Sequence, residues 1–261
     1  MDNIKESILK KRAFTIIEIM VSVAIISIIS VGMLAIIVKS MHAYYTLSAL
    51  NELNNNASFA ADELTKDLLE SDISLIRIAS IQDPATGQWH DMLVFPALSD
   101  TNPTNGNGNP NWHNVVVYYP FTTASGINQL RKYAHTNISL TSDDFPLPEP
   151  VVTATAINLS KKDLTPLVSF NRATSQVRVL ANFISTEDAN SNQSLDANEN
   201  DTQANLPMDN ADGVLDTGVD YSVSGDTVFI KLFLEKPITQ IGGAISRRVS
   251  MTLNSAATLR N

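Results

Sequence analysis

Residues 188–199 read Asp-Ala-Asn-Ser-Asn-Gln-Ser-Leu-Asp-Ala-Asn-Glu, which sets oxygen donors at Asp188, Asn190, Asn192, Ser194, Asp196 and Glu199. Hard oxygen ligands at alternate positions are what Ca²⁺ requires, because a curled loop brings them round one ion. The surrounding segment, residues 179–230, holds ten acidic side chains and no Lys or Arg, whereas the remaining 17 acids face 18 bases within a formal charge of -9. That local excess points to cations as partners and away from nucleic acid. The competing reading is an Asn/Asp-rich solvated loop. Other chemistry is sparse. His42, His90, His113 and His135 fall on different expected elements, and the chain has no His-Glu-x-x-His, no Gly-x-Ser-x-Gly and no phosphate-cradling glycine loop. Cysteine is absent, so thiolate metal sites, Cys nucleophiles and disulfides are excluded. Nothing in the sequence asks for an enzyme.

A second residue stands out by its setting. Glu18 is the single charge between Phe14 and Val38, a run of 25 residues. At about 1.5 Å per residue this run crosses a hydrocarbon core of roughly 30 Å. Lys10, Lys11 and Arg12 precede it, so the positive-inside bias holds the first residues in the cytoplasm and sends the chain beyond Lys39 outward. The run is too long for the core of a cleaved secretory signal. A plain signal anchor accounts for its length but not for its carboxylate, which costs roughly 2.5–3.5 kcal/mol in a membrane helix and normally marks a function with a partner. A cut between Ala13 and Phe14 would supply that partner, since the new α-amino group of Phe14 lies about one helical turn from Glu18.

The sequence Lys10-Lys11-Arg12-Ala13-Phe14-Thr15-Ile16-Ile17-Glu18 resembles the class III signal of type IV prepilins and type II secretion pseudopilins. The resemblance implies cleavage after Ala13 by a prepilin peptidase and methylation of the Phe14 amine. It also implies that Glu18 pairs with the Phe14 amine of a neighbouring subunit. Two positions depart from the pattern: Ala13 stands where Gly is usual, and Ala35 stands where many major pilins carry a proline. Residues 60–71 and the closing Thr258-Leu259-Arg260-Asn261 are similar to the larger J-type pseudopilins and W-type minor pilins. Separately, residues 188–199 resemble a calcium loop of the EF-hand type, with Leu195 as its apolar eighth residue and Gln193 where that pattern has Gly. Asp209, Asp212-Gly213, Asp216 and Asp220 resemble part of a second loop, with Met208 at its first ligand position. No flanking helices are expected, so the EF-hand fold itself is not implied.

These sites need positioning elements. Past Val38 no breaker appears before Pro84, and Leu50, Leu53, Ala57, Ala60, Leu64 and Leu68 recur at helical spacing. The pattern predicts an amphipathic continuation of the membrane helix, with a bend at Asn54-Asn55-Asn56. From residue 75 onward short β-rich runs follow, at 75–81, 92–95, 114–119, 129–133, 151–159, 167–170, 176–184, 227–235 and 247–253, separated by turn-forming stretches. The expected class is α+β, a long N-terminal membrane-spanning helix packed on an antiparallel β domain. Its parts are a leader at 1–13, the membrane and filament-core helix at 14–38, its amphipathic continuation at 39–72, and a β-rich periplasmic or extracellular domain at 73–261 with an acidic loop at 185–220. Each Trp-His pair, Trp89-His90 and Trp112-His113, reads as a partly buried aromatic beside a surface His at a loop edge. The expected role is a structural subunit, a minor pilin or minor pseudopilin, anchored once in the bacterial inner membrane before it joins a filament. Its expected partners are the prepilin peptidase, other subunits, an inner-membrane assembly platform and the lipid bilayer. The alternative is a single-span membrane-anchored binding protein or adhesin that does not assemble.

Overall fold

A computed structural model describes residues 15–84, 87, 89–98, 104, 106–136, 138, 140–173, 177–185, 218–239 and 245–259. One helix, α1 (Ile16–Leu69), is followed by β1 (Arg77–Gln82), β2 (Trp89–Leu98), β3 (Trp112–Thr122), β4 (Asn128–His135), β5 (Val151–Val152), β6 (Ala156–Ser160), β7 (Pro166–Asn171), β8 (Arg178–Asn182), β9 (Val219–Ser224), β10 (Thr227–Thr239) and β11 (Ile245–Thr258). Two compact units divide between Leu47 and Ser48. The first, among its described residues, is helix alone.

In the second unit every strand pairing is antiparallel, and the strands form sheets ordered β1-β2-β3-β4-β8, β11-β10-β9 and β5-β6-β7. The five-stranded sheet is the middle layer. Leu93, Phe95, Val116, Tyr118 and Leu130 on one face pack with the helix and with Tyr221, Ile230 and Leu232 of the β9–β11 sheet. Met92, Val94, Val117 and Tyr119 on the other face pack with Phe145, Leu147, Ile157 and Phe170. Coverage on both faces is why β2 and β3 read as unbroken apolar runs rather than as alternating strands. The helix meets this layer through Ala49, Leu53, Ala57, Ala60, Leu64 and Leu68, all buried. Truncating one of those leucines to Ala would cost about 2–5 kcal/mol.

Four sequence expectations need correction. Leu50 is exposed, and Ala49 takes its place in the buried stripe. The helix runs unbroken through Asn54-Asn55-Asn56; Asn54 and Asn55 face solvent, while Leu53 and Ala57 on either side are anchored in the core. The run at 151–159 is two strands. Thr153 donates its backbone N–H to the Ala156 carbonyl at 2.8 Å and accepts the Ala156 N–H on Oγ1 at 3.0 Å, which turns the chain where β propensity alone reads straight through. Finally, residues 219 and 220 of the expected acidic loop belong to β9, whose apolar Val219 and Tyr221 seat it in the core. Gly225, at φ 58°, begins the two-residue turn into β10, a position that favours glycine.

Candidate functional site

Ala13, Phe14 and the six calcium-loop residues Asp188, Asn190, Asn192, Ser194, Asp196 and Glu199 lie outside the described residues. Glu18 does not. Thr15 precedes the first helical residue, and its Oγ1 accepts the Glu18 backbone N–H at 3.2 Å. Glu18 reaches back in return, its Oε2 accepting the Thr15 N–H at 2.9 Å and the Thr15 hydroxyl at 3.1 Å. This reciprocal arrangement is a capping box. It satisfies two backbone donors that a helix start otherwise leaves open, and it sets the carboxylate at the positive end of the helix dipole.

The surroundings are apolar. From Ile16 to Val38 every large hydrophobic side chain is at least half exposed, and the helix is long and apolar enough to cross a membrane. Two of its hydroxyls are satisfied within the helix: Ser22 Oγ donates to the Glu18 carbonyl and Ser27 Oγ to the Val23 carbonyl, each at 2.7 Å. The backbone N–H and C=O groups must likewise be satisfied in hydrocarbon, and a helix does so within its own segment. Glu18 Oε1 has no partner among the described residues, so one oxygen of the carboxylate is open to a cation while the other holds the cap. Sequence reasoning passed over Thr15, although Thr-x-x-Glu at the head of an apolar run is a legible capping signal.

Two ionic clusters, one partly buried and one buried, also went unread. On the helix-facing side of the middle sheet, Lys132 Nζ lies 3.0 Å from Glu63 Oε1 and 2.5 Å from Asp67 Oδ2. Tyr118 donates its hydroxyl to Asp67 Oδ2 at 2.5 Å, and Arg178 reaches Glu63 at 2.7 Å. Partial burial pushes the Glu63 carboxyl upward, but Lys132, then Arg178 and Lys66, hold it below its ordinary value. Burial, followed by the Asp67 charge, drives the Tyr118 hydroxyl up. The signal available was Asp67 itself, an acid three residues after Leu64 on the buried face.

The other cluster is on the far side. Arg172 donates through Nη1 to Asp83 Oδ1 at 2.9 Å and through Nη2 to Asp83 Oδ2, while His90 Nε2 lies 3.3 Å from Asp83 Oδ2. Arg172 also donates to the Thr153 carbonyl, and its own carbonyl accepts from Tyr119 and Arg131. It thus ties the β5–β7 sheet to the middle one. The expected surface histidine at position 90 is corrected: His90 is buried and Trp89 is exposed, because β2 starts at Trp89 and turns its second residue inward. Of the second pair, Trp112 is buried and His113 Nδ1 lies 2.6 Å from the Ile138 carbonyl. Among the described residues no cluster of His, Asp and Glu has the makings of a metal site.

The family model of the prokaryotic N-terminal methylation motif matches residues 8–34, the stretch that contains Thr15, Glu18 and most of the apolar run. No curated protein and no solved structure matches the chain.

Proposed function

On the premise that this chain is a type IV pilin-like protein, with the N-terminal methylation motif over residues 8–34, we propose that it acts as a minor pilin or minor pseudopilin. The leader 1–13 is removed by a prepilin peptidase, the Phe14 amine is methylated, and the β-rich domain lies on the periplasmic side of the inner membrane. An inner-membrane assembly platform then passes the subunit into a filament or its tip, where Glu18 meets the Phe14 amine of a neighbour. The observation that carries this reading is the state of Glu18: one oxygen closes the helix cap with Thr15, the other has no partner among the described residues, and the apolar run supplies no cation. The minor role is supported by Ala13 in place of glycine, by the lack of a proline at Ala35, and by a β domain with three sheets. The chain is read as non-catalytic.

A Ca²⁺ ion at Asp188, Asn190, Asn192, Ser194, Asp196 and Glu199 is a second part of the proposal, and it rests on the spacing of those donors in the sequence. Mass analysis of the protein recovered from membranes is the test of the first part. A mature chain beginning with methylated Phe14 is expected. An intact Met1 start in cells with an active prepilin peptidase would favour the non-assembling membrane-anchored alternative.

A further inference from the structure

The helix changes character directly after the apolar run. Lys39, His42 and Thr46 recur at spacings of three and four, and so do Met41, Tyr44 and Tyr45 taken from Met41. At 3.6 residues per turn, Lys39 and Met41 are about 200° apart, so the two sets form opposite stripes. The second stripe is apolar and open: Tyr44 is 68% and Tyr45 44% exposed, and their rings meet edge to face at 5.9 Å. Leu34 and Ile37 precede Met41 on the same stripe, so the face continues the bare surface of the apolar run without a break.

We infer that Tyr44 and Tyr45, with Met41 beside them, form an interfacial belt seated in the outer phospholipid headgroup layer, and that this belt fixes the depth of the helix in the bilayer. The inference rests on the membrane-spanning reading of the N-terminal helix. Residues 16–38 span about 34 Å at 1.5 Å per residue, or about 32 Å at a typical tilt near 20°, which fills a hydrocarbon layer of roughly 30 Å. The Cα atoms of Tyr44 and Tyr45 then lie about 9–10 Å beyond Val38. Side chains on a helix lean toward its N-terminus, here toward the membrane, which returns the two rings by about one turn, ~5 Å. That places them in a headgroup layer about 5–7 Å deep on each side, where an amphipathic phenol has its apolar body in the acyl boundary and its hydroxyl among phosphates and water.

The cysteine-free chain permits clean single-site labelling. Full-length protein carrying one spin label at Ile28→Cys, Met41→Cys, Tyr44→Cys, Tyr45→Cys or Ser222→Cys is reconstituted in vesicles of phosphatidylethanolamine and phosphatidylglycerol. Each label is read for collision with oxygen and with a water-soluble nickel chelate. Expected is a deep position for 28, full water exposure for 222, and intermediate depth for 41, 44 and 45. Water exposure at 44 and 45 equal to that at 222, with 28 still deep, overturns the belt alone; loss of depth at 28 overturns the membrane reading beneath it. Exclusion of both relaxants at 44 and 45, with dipolar broadening that grows with the protein-to-lipid ratio, would assign the stripe to a second copy of the chain and also overturn the belt. In a chain labelled at Ile37→Cys, adding Tyr44→Ser and Tyr45→Ser is expected to shift the label toward water; an unchanged depth there says that the two tyrosines do not set it.

Discussion

Two stretches of one helix, residues 16–38 and 49–68, handle a carboxylate in opposite ways. In the first, Glu18 finds its partners among the described residues at its own helix start, in the Thr15 N–H and hydroxyl. In the second, Glu63 and Asp67 are answered from other elements, by Lys132 on β4, Arg178 on β8 and Tyr118 on β3. The apolar residues follow the same division, bare from Ile16 to Val38 and, along the stripe Ala49, Leu53, Ala57, Ala60, Leu64 and Leu68, buried. A helix segment that finds its partners inside the chain is structural. One whose apolar surface and spare carboxylate oxygen are left open is built to be completed from outside, by lipid and then by neighbouring subunits.

The strongest way to break this comparison is to delete one charged group from each side. Glu18→Val is expected to insert more readily, relieved of roughly 2.5–3.5 kcal/mol, and to leave the denaturation midpoint of the β domain unchanged, while incorporation into filaments or tip complexes falls to background. Normal incorporation in a pull-down of assembled fibres would reduce Glu18 to a helix cap. On the structural side the largest effect should come from Arg172→Ala, which takes the guanidinium from the buried Asp83. Removing one partner of a buried pair costs about 3–5 kcal/mol, and loss of the Thr153 contact should free the β5–β7 sheet as well. Urea unfolding followed by the fluorescence of buried Trp112 measures it. A change below about 1 kcal/mol would place that pair with weak surface ion pairs instead.

How much of this was legible beforehand depends on the range over which each feature acts. The membrane run, Glu18 and the order of helix then strands are written in local composition and periodicity, and the sequence carried them. Strand ends were cut short where a residue belongs to a strand by pairing rather than by propensity, as with Trp89, Trp112 and the far ends of β10 and β11. β9 was missed because an acidic flank made Val219–Ser224 read as more of the loop. The Asp83–Arg172 cluster was beyond reach for a different reason: the two residues meet across 89 positions, and nothing local in either announces the other. Thr15 is the omission that local reasoning should have avoided, since its spacing from Glu18 is itself the signal.

Two intermediate effects sharpen the division. If a Ca²⁺ ion at Asp188–Glu199 completes the β domain, full-length protein in detergent should melt several degrees higher in millimolar Ca²⁺ than in EDTA, because saturation at 100 times Kd adds about 2.7 kcal/mol. An Asp188→Ala, Glu199→Ala variant should be indifferent to EDTA, and equal melting of the wild type in both buffers would return the segment to a solvated acidic loop. A smaller change is expected from Thr15→Val, which removes the hydroxyl half of the cap, worth about 1 kcal/mol. Thr15→Ser should restore it. Because the cap holds Glu18 in place, the Val variant should assemble less efficiently than wild type but better than Glu18→Val, by quantitative fibre recovery. Assembly equal to wild type would show that Glu18 keeps its position without the cap.

The smallest expected effect contrasts two carboxylates of the second unit, Glu63 on the helix and Asp91 on β2, by pH. Glu63 titrates below its ordinary value in the folded protein because Lys132 and Arg178 outweigh its partial burial. Its stabilising contribution is therefore complete above the unfolded value of 4.5 and is lost as pH falls through the lower folded one. Asp91 on β2 behaves in the opposite sense. Burial, with a further push from the nearby Asp220, raises its carboxyl above 3.8, even though Ser80 donates to Oδ1 at 2.6 Å and the Tyr221 N–H faces Oδ2 at 3.4 Å. The charged form is disfavoured by folding, so Asp91 costs stability at neutral pH and that cost fades as pH falls through its raised folded value toward 3.8. Asp91→Asn keeps an oxygen for Ser80 while removing the charge. It should stabilise the protein at pH 7, because the buried charge that folding disfavours is gone, and the gain should shrink to nothing in acid. Glu63→Gln should do the reverse, destabilising at neutral pH with the difference vanishing at low pH. Urea titrations of both variants across this range read the two curves directly. Parallel curves would mean that neither position owes its energetics to ionisation, and the contrast between a carboxylate paired by its neighbours and one merely enclosed by them would fail.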